Sequence, residues 1–373
     1  MASQEPMVKR TLLVLVTGLA AAAGWGAGAR ESMDLAPSAM DFPGIRPAPY
    51  ATLLARGELL TVVYADRDTT SLRALDVPAG GDLPRTAPRD TFVDKVDIVP
   101  PLGGSFGLHA AAAVDGHLRL LYLDRERDDR PLLKLVTEEA AGWRLQLIEP
   151  LGAPLAILAG ADGTPMDAWA PGSLRLRGAS GEQVLREPFA PLGQAFPLAA
   201  ANSVLGTGFG CWDDASGELL VVRSDPDGVQ SFPVPGAGPI SAIAEAPDGT
   251  VAVATWDAAG RRILLLEHDG AGRPLRRTTV TVCDGTTGVF LAWTPSGWLF
   301  VYDEVCPVPV GRWMRELAVL SPEPRTVGRP RYRRGLLTSG NQPIAGFRAL
   351  ITRGSLFVLE MGDGLRLLKI PVP

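Results

Sequence analysis

Seven times along this chain a short apolar run meets a glycine turn and re-emerges as a second apolar run, usually ending in an aromatic residue and then an acidic one. The turn glycines are Gly57, Gly116, Gly163, Gly206, Gly249, Gly297 and Gly354, at spacings of 43 to 59 residues. A strand-built repeat of that length cannot bury both of its faces alone, and the blades of a β-propeller solve this by packing on one another around a ring. The expected fold is therefore all-β, a seven-bladed β-propeller. Its first strands should lie near residues 50–55, 107–114, 154–159, 196–203, 240–245, 288–293 and 346–352.

The local pattern within a repeat is that of strands. In the fifth, a strand over 240–245 meets the turn Pro247-Asp248-Gly249, residues 250–256 alternate as T-V-A-V-A-T-W, and strands over 262–268 and 275–282 follow. The second repeat has the same order over 109–114, 118–123, 132–137 and 143–148, and the fourth continues through Gly206, Trp212, 219–223 and 229–234. The third and sixth are more ragged, because Pro165 interrupts one second strand and Pro307 and Pro309 follow the other. The seventh has three strands, over 347–352, 355–360 and 365–370, which would leave an open edge. Residues 30–49 are the expected donor of the missing outer strand. Prolines at 37, 43, 47 and 49 leave the neighbourhood of 38–42 free to pair.

The start of the chain reads differently. Lys9 and Arg10 precede an apolar run over 12–23 and the small residues Ala27-Gly28-Ala29, the order of a secretory signal peptide with its cleavage site. The expected division is a signal peptide over 1–29, a ring-closing segment over 30–49 and a propeller over 50–373. Export to the periplasm or the extracellular space follows, and no later run approaches the roughly eighteen apolar residues of a spanning helix. The net charge of −5 argues against whole-molecule attraction to nucleic acid. With 46% hydrophobic and 21% charged residues the chain has the composition of a globular protein. The three histidines are scattered without metal-ligand spacing, and neither a metal nor another cofactor is expected. A monomer is expected, with a glycan or an envelope protein as the candidate partner.

The stretches 109–124 and 240–257, running strand, Asp-Gly turn, strand and then Y-x-D or W-D, resemble exported bacterial propellers of the broad sialidase-like and BNR-like kind. The resemblance implies the architecture. It departs from true sialidases in lacking an S-x-D-x-G-x-x-W box and a secure arginine triad, so it transfers no sialidase chemistry to any residue here.

The recurring aromatic–acid corners are the candidate binding surface: Tyr64 with Asp66, Tyr122 with Asp124, Trp212 with Asp213 and Asp214, Trp256 with Asp257, and Tyr302 with Asp303 and Glu304. Each is expected to close the second strand of a blade, which gathers the acids on one face of the ring. Aromatic rings beside carboxylates suit a sugar, whose apolar face stacks while its hydroxyls hydrogen-bond. The competing reading is structural, with aspartates closing hairpins through nearby backbone and aromatics packing between blades. Asp124, Asp257 and Asp303 are the candidate catalytic acids, since glycoside hydrolysis needs two facing carboxylates. His109 is the candidate acid–base group of a lyase-type alternative.

Three further signals carry less. The stretch 103–107 matches G-x-S-x-G but falls in a linker between blades rather than between strand and helix. Arg325, Arg329, Arg331, Arg333 and Arg334 surround Tyr332 in a proline-bearing stretch that reads as a solvated loop between the sixth and seventh blades. Cys283 and Cys306, expected at the end of one strand and just after another on adjacent blades, are candidates for a disulfide, and Cys211 reads as a buried thiol. Two function classes follow: an exported, non-catalytic binding or scaffold propeller, or a carbohydrate-active hydrolase or lyase using acids on one face of the ring.

Overall fold

The structure is a computed structural model. It describes residues 38–45, 47–88, 90–96, 107–114, 116–125, 131–148, 153–159, 165–170, 172–178, 181–197, 199–200, 208–225, 228–282, 285–286, 288–308, 312–320, 336–337, 347–361 and 364–372. The proposed signal peptide lies outside these.

The strands assort into seven sheets, antiparallel except for one two-residue pairing, that pack as a β-propeller, and the turns explain why. Gly57 and Gly249 have φ of +59° and +83°, a region closed to most side chains, so each can reverse the chain between a first and a second strand. In the first sheet Pro47–Arg56, Leu59–Asp66, Ser71–Pro78 and Thr91–Lys95 pair in chain order. The second has Gly107–Val114, His117–Arg125, Pro131–Glu139 and Gly142–Ile148. The fifth runs Ser241–Glu245, Val251–Asp257, Arg262–His268 and Pro274–Val282, as the alternation of apolar residues foretold. The first strand of each sheet touches that of the next, and the first strand of the first sheet, Pro47–Arg56, touches that of the seventh, Phe347–Thr352.

Between neighbouring sheets lie separate apolar layers. The first and second sheets share Val63, Leu72, Val93, Leu118, Leu120, Tyr122 and Val136, whereas the fourth and fifth share Leu219, Val221, Phe232, Ile243, Val253 and Leu264. The core is thus a set of slabs rather than one centre, as expected when each sheet buries both faces against neighbours.

The N-terminal strand Ser38–Phe42 pairs antiparallel with Leu365–Pro371, in register from Ser38 opposite Lys369 to Phe42 opposite Leu365. It thereby becomes the fourth strand of the seventh sheet, beside Ser355–Met361 and Phe347–Thr352. Met40 and Phe42 point inward and are buried, and the Phe42 ring meets Tyr64 edge-on at 5.8 Å. The outer side of this strand is also covered: Asp41 N–H donates to Arg85 at 3.0 Å, and Ala87 N–H donates to Asp41 at 2.9 Å.

Three repeats depart from the sequence reading, the third, fourth and sixth. The first strand of the fourth sheet is Pro191–Pro197, not 196–203, and it precedes Gly208–Asp213, Glu218–Asp225 and Gly228–Val234. Pro197 has no N–H to carry the ladder onward. Ala199–Ala200 then pairs parallel with Ala244 and Glu245 of the fifth sheet, and the turn at Gly206 lies outside the described residues. In the sixth sheet the second strand does not stop before Pro307 but runs from Gly297 to Val308. Its first strand, Val289–Thr294, ends its pairing at Tyr302, so Pro307 faces a ladder only toward Arg312–Leu320 and sacrifices no bond on its other side. The outer strand Leu336–Leu337 follows the arginine-rich stretch, which therefore falls inside the sixth repeat rather than between the sixth and seventh. Pro165 opens Pro165–Ala170 instead of interrupting it.

Replacing Phe42 by Ala should cost about 3 to 5 kcal/mol in urea or thermal unfolding, the usual loss for a buried phenylalanine. Replacing the outward-facing Asp41 by Ala should stay within about 0.5 kcal/mol.

Candidate functional site

The aromatic–acid corners sit largely where the second strands end, and the carboxylates of Asp66, Asp124, Asp213 and Asp257 are engaged by neighbouring groups of the scaffold. Asp66 is buried; its Oδ1 accepts from Asp68 N–H at 3.2 Å and its Oδ2 from the Thr69 hydroxyl at 2.6 Å. Asp213 is fully buried, accepting from Ala190 N–H at 2.9 Å, Ala215 N–H at 3.2 Å and the Ser216 hydroxyl at 2.7 Å, with Arg186 Nε 3.4 Å away. Burial acts to raise its pKa, but these donors outweigh that and hold the carboxyl below the usual carboxylate range. Asp257 accepts from Gly260 N–H at 3.0 Å and Arg262 Nε at 2.9 Å, which lower its pKa likewise. In all three the carboxylate closes the hairpin to the third strand.

Asp124 has a different partner. Lys134, on the third strand of the second sheet, places Nζ 2.6 Å from Asp124 Oδ2 and 3.2 Å from Asp94 Oδ2, and Asp94 stands on the outer strand of the first sheet. Tyr122 donates its hydroxyl to Asp94 at 2.5 Å. Lys134 and Asp124 are both buried, and although burial favours a neutral amine, the two carboxylates keep the Lys134 pKa above its ordinary value. Tyr64 donates to Asp90 in the same manner, and burial reinforced by these acids pushes both tyrosine hydroxyls up.

The aromatic members lie between sheets. Tyr64 belongs to the layer between the seventh and first sheets, and Tyr122 to that between the first and second. Trp212 packs between the fourth and fifth, while Trp256 and Tyr302 pack between the fifth and sixth. The last corner departs from expectation, because Asp303 and Glu304 fall in mid-strand opposite Leu317 and Glu316. Their side chains are outside the described residues.

His109 lies at an irregularity of the ladder between Leu108 and Ala110 in Gly107–Val114, and its side chain too is outside the described set. His117 is exposed at the start of a second strand; His268 is buried beside Phe232, and burial lowers its pKa. Cys283 lies outside the described residues. Cys306 sits within a strand opposite Met314 rather than beyond its end. Cys211 is a free, buried thiol whose pKa burial pushes up to about 12.

A cleft of about 220 Å³ between the first and second sheets is a site that the sequence reading missed. Arg56, at the end of the first strand, ion-pairs with Asp76 of its own sheet and Glu138 of the next, and donates to Gly116 O at 3.3 Å. Thr61 donates to Asp76 at 2.6 Å, and Leu118 N–H donates to Glu138 at 3.1 Å. Glu139, Thr91 and Trp143 complete the rim. The local signal was the Glu138-Glu139 hairpin followed by Trp143 on the outer strand, but its partner Arg56 is 82 residues from Glu138.

No protein-family model matches the chain, and no curated protein matches its sequence. Solved structures do resemble it. A YCF48 bound to D1 peptide matches over 92% of this chain and 98% of its own at 12% identity and a TM-score of 0.51. The phage phi92 endosialidase matches over 90% of this chain and 69% of its own at 7% identity and 0.52. One of two prolyl endopeptidases matches over 90% of this chain and 50% of its own at 14% and 0.51. At these identities the likeness establishes the β-propeller fold alone.

Two outcomes test the buried groups. Lys134→Met leaves two carboxylates facing without a cation and should cost about 3 to 5 kcal/mol in urea unfolding, with recovery when Asp124→Leu is added. The Cys211 thiol should resist a thiol-specific label at pH 8 in the folded protein and react on unfolding, read by mass spectrometry of the peptide containing position 211.

Proposed function

We propose that the chain is an exported, non-catalytic binding or scaffold propeller of the cell envelope or extracellular space, acting as a monomer. Its seven sheets form one seven-bladed ring, with the N-terminal strand completing the last blade. The cycle of contacts between first strands supports the ring, and the charge, apolar run and small residues over 9–29 support export.

One observation carries the non-catalytic reading. Asp66, Asp213 and Asp257 are engaged in their own hairpins and Asp124 is neutralised by Lys134, so these carboxylates are satisfied within the scaffold. A general acid needs its pKa raised toward neutrality, yet Asp213 and Asp257 are held down. A glycan or an envelope protein is the ligand this reading expects. The phi92 protein is titled an endosialidase, but only its fold bears on this chain.

The test is a panel of glycans and polysaccharides offered to the mature protein, read both for binding and for released reducing or unsaturated ends. The expected result is no turnover. Catalytic release that disappears in Asp257→Asn would overturn the reading in favour of a carbohydrate-active enzyme.

A further inference from the structure

The large apolar side chains left exposed among the described residues are Phe92, Leu145, Leu147, Val184, Leu275 and Val282. Each stands on the outermost strand of its sheet. Isolated ones are ordinary for a folded surface. Only in the second sheet do two stand two residues apart and so share a face: Leu145 is 46% exposed and Leu147 55%.

The register shows which way that face looks. Leu145 lies opposite Val136 and Leu147 opposite Lys134, while Trp143 lies opposite Glu138. Val136 and Trp143 pack toward the first sheet, and Lys134 reaches its Asp94. The row Trp143, Leu145, Leu147 therefore faces the gap between the outer margins of the first two sheets. Among the described strands Gly142–Ile148 pairs on one side only, which leaves backbone donors and acceptors open along its other edge.

At the Trp143 end this gap deepens into the cleft of about 220 Å³. Its lining holds the carboxylates of Asp76, Glu138 and Glu139 against the single guanidinium of Arg56, which Asp76 and Glu138 already engage. Among the described residues Glu139 pairs with Arg144 at 3.1 Å, an exposed contact of little strength. The cleft is thus negative, with an indole at its edge.

We propose that this edge docks an extended basic–aliphatic peptide segment of a partner protein. The segment adds as a strand along Gly142–Ile148 and sets alternate aliphatic side chains over Leu145 and Leu147. A lysine or arginine side chain enters the cleft against Trp143, beside Glu138 and Glu139. Strand addition supplies backbone hydrogen bonds and pockets for alternate side chains supply selectivity, while an aromatic face flanked by carboxylates suits a cation. The chain's net charge of −5 favours a basic partner. This inference rests on the binding-scaffold reading and gives its ligand a chemistry.

The test uses the full chain and a fluorescent nine-residue peptide of alternating leucine and threonine ending in arginine, against the same peptide ending in glutamate. The arginine peptide should bind about tenfold more tightly, and the double substitution Leu145→Ser with Leu147→Ser should weaken it by about tenfold, as expected for central anchors. Glu139→Arg should reverse the preference between the two peptides. All three sites are exposed, and an unchanged melting temperature confirms that each variant is folded. Equal binding of both peptides, or binding indifferent to the leucine substitutions, overturns the proposal. So does a dimer in sedimentation that the leucine substitutions dissolve while no peptide binds, because the occupant is then a second copy. Glycan binding without peptide binding defeats this proposal and leaves the scaffold reading standing, whereas turnover defeats the scaffold reading.

Discussion

A sheet that buries both faces against neighbours is stable only if its neighbours are held in place, and in a ring that condition passes around the whole circle. Here it is met where Ser38–Phe42 joins Leu365–Pro371. Backbone pairing alone would satisfy the edge, but the joint does more. Phe42 reaches Tyr64 in the first sheet, and the Lys369 ammonium donates to the carbonyls of Ala79 and Gly81 just beyond that sheet's third strand. The closing strand therefore ties the seventh sheet to the first as well as completing it. The parallel bridge from Asp41 to Thr86 covers the edge that the added strand would otherwise present to other molecules.

The contact between the first two sheets shows how such slabs keep their alignment. Its middle is apolar, and hydrophobic contact is non-directional, so it does little to prevent one sheet from sliding along the other. Its two ends carry ion clusters, Arg56 with Asp76 and Glu138 at one and Lys134 with Asp94 and Asp124 at the other. Each cation bridges both sheets. The buried Lys134–Asp124 pair adds little net stability relative to well-packed apolar groups, but a displacement that strips it of its partner costs several kcal/mol, whereas the more exposed Arg56 cluster adds a weaker, directional restraint. The clusters accordingly act as stops that set the relative position of the sheets.

What was legible in the sequence is what is local. Glycine turns, alternation within strands and the free segment between prolines near residue 40 are each determined within a few residues, and they located the closing strand and most first strands. The hairpin-closing aspartates were legible for the same reason, since Asp66, Asp213 and Asp257 bond to groups two to five residues onward. The first strand of the fourth sheet was misplaced because it was set by the spacing from Gly206, whereas the pairing begins at Pro191. The misplacement at Pro307 arose because a proline's effect depends on whether its missing N–H faces a partner, and pairing is a tertiary fact. Arg56 and Lys134 were illegible for that reason as well. Each looks like an ordinary cation until the neighbouring sheet brings its acids into place.

The partners that each side chain already holds bear on where a ring like this can acquire a function. A carboxylate that closes a hairpin from a buried position cannot be turned to a ligand without leaving backbone donors unsatisfied, at roughly 1 to 3 kcal/mol for each buried group. Such corners are therefore poor raw material for a binding site, however regularly they recur. The outermost strands face the opposite condition. Neighbouring sheets diverge toward the rim, so side chains there lose their partners, and every exposed large apolar residue among those described stands on an outer strand. Changes at these positions cost little in folding and can alter what the surface offers. Specificity in this architecture is accordingly cheapest to build at the rim, where Trp143, Leu145 and Leu147 converge on a negatively charged cleft.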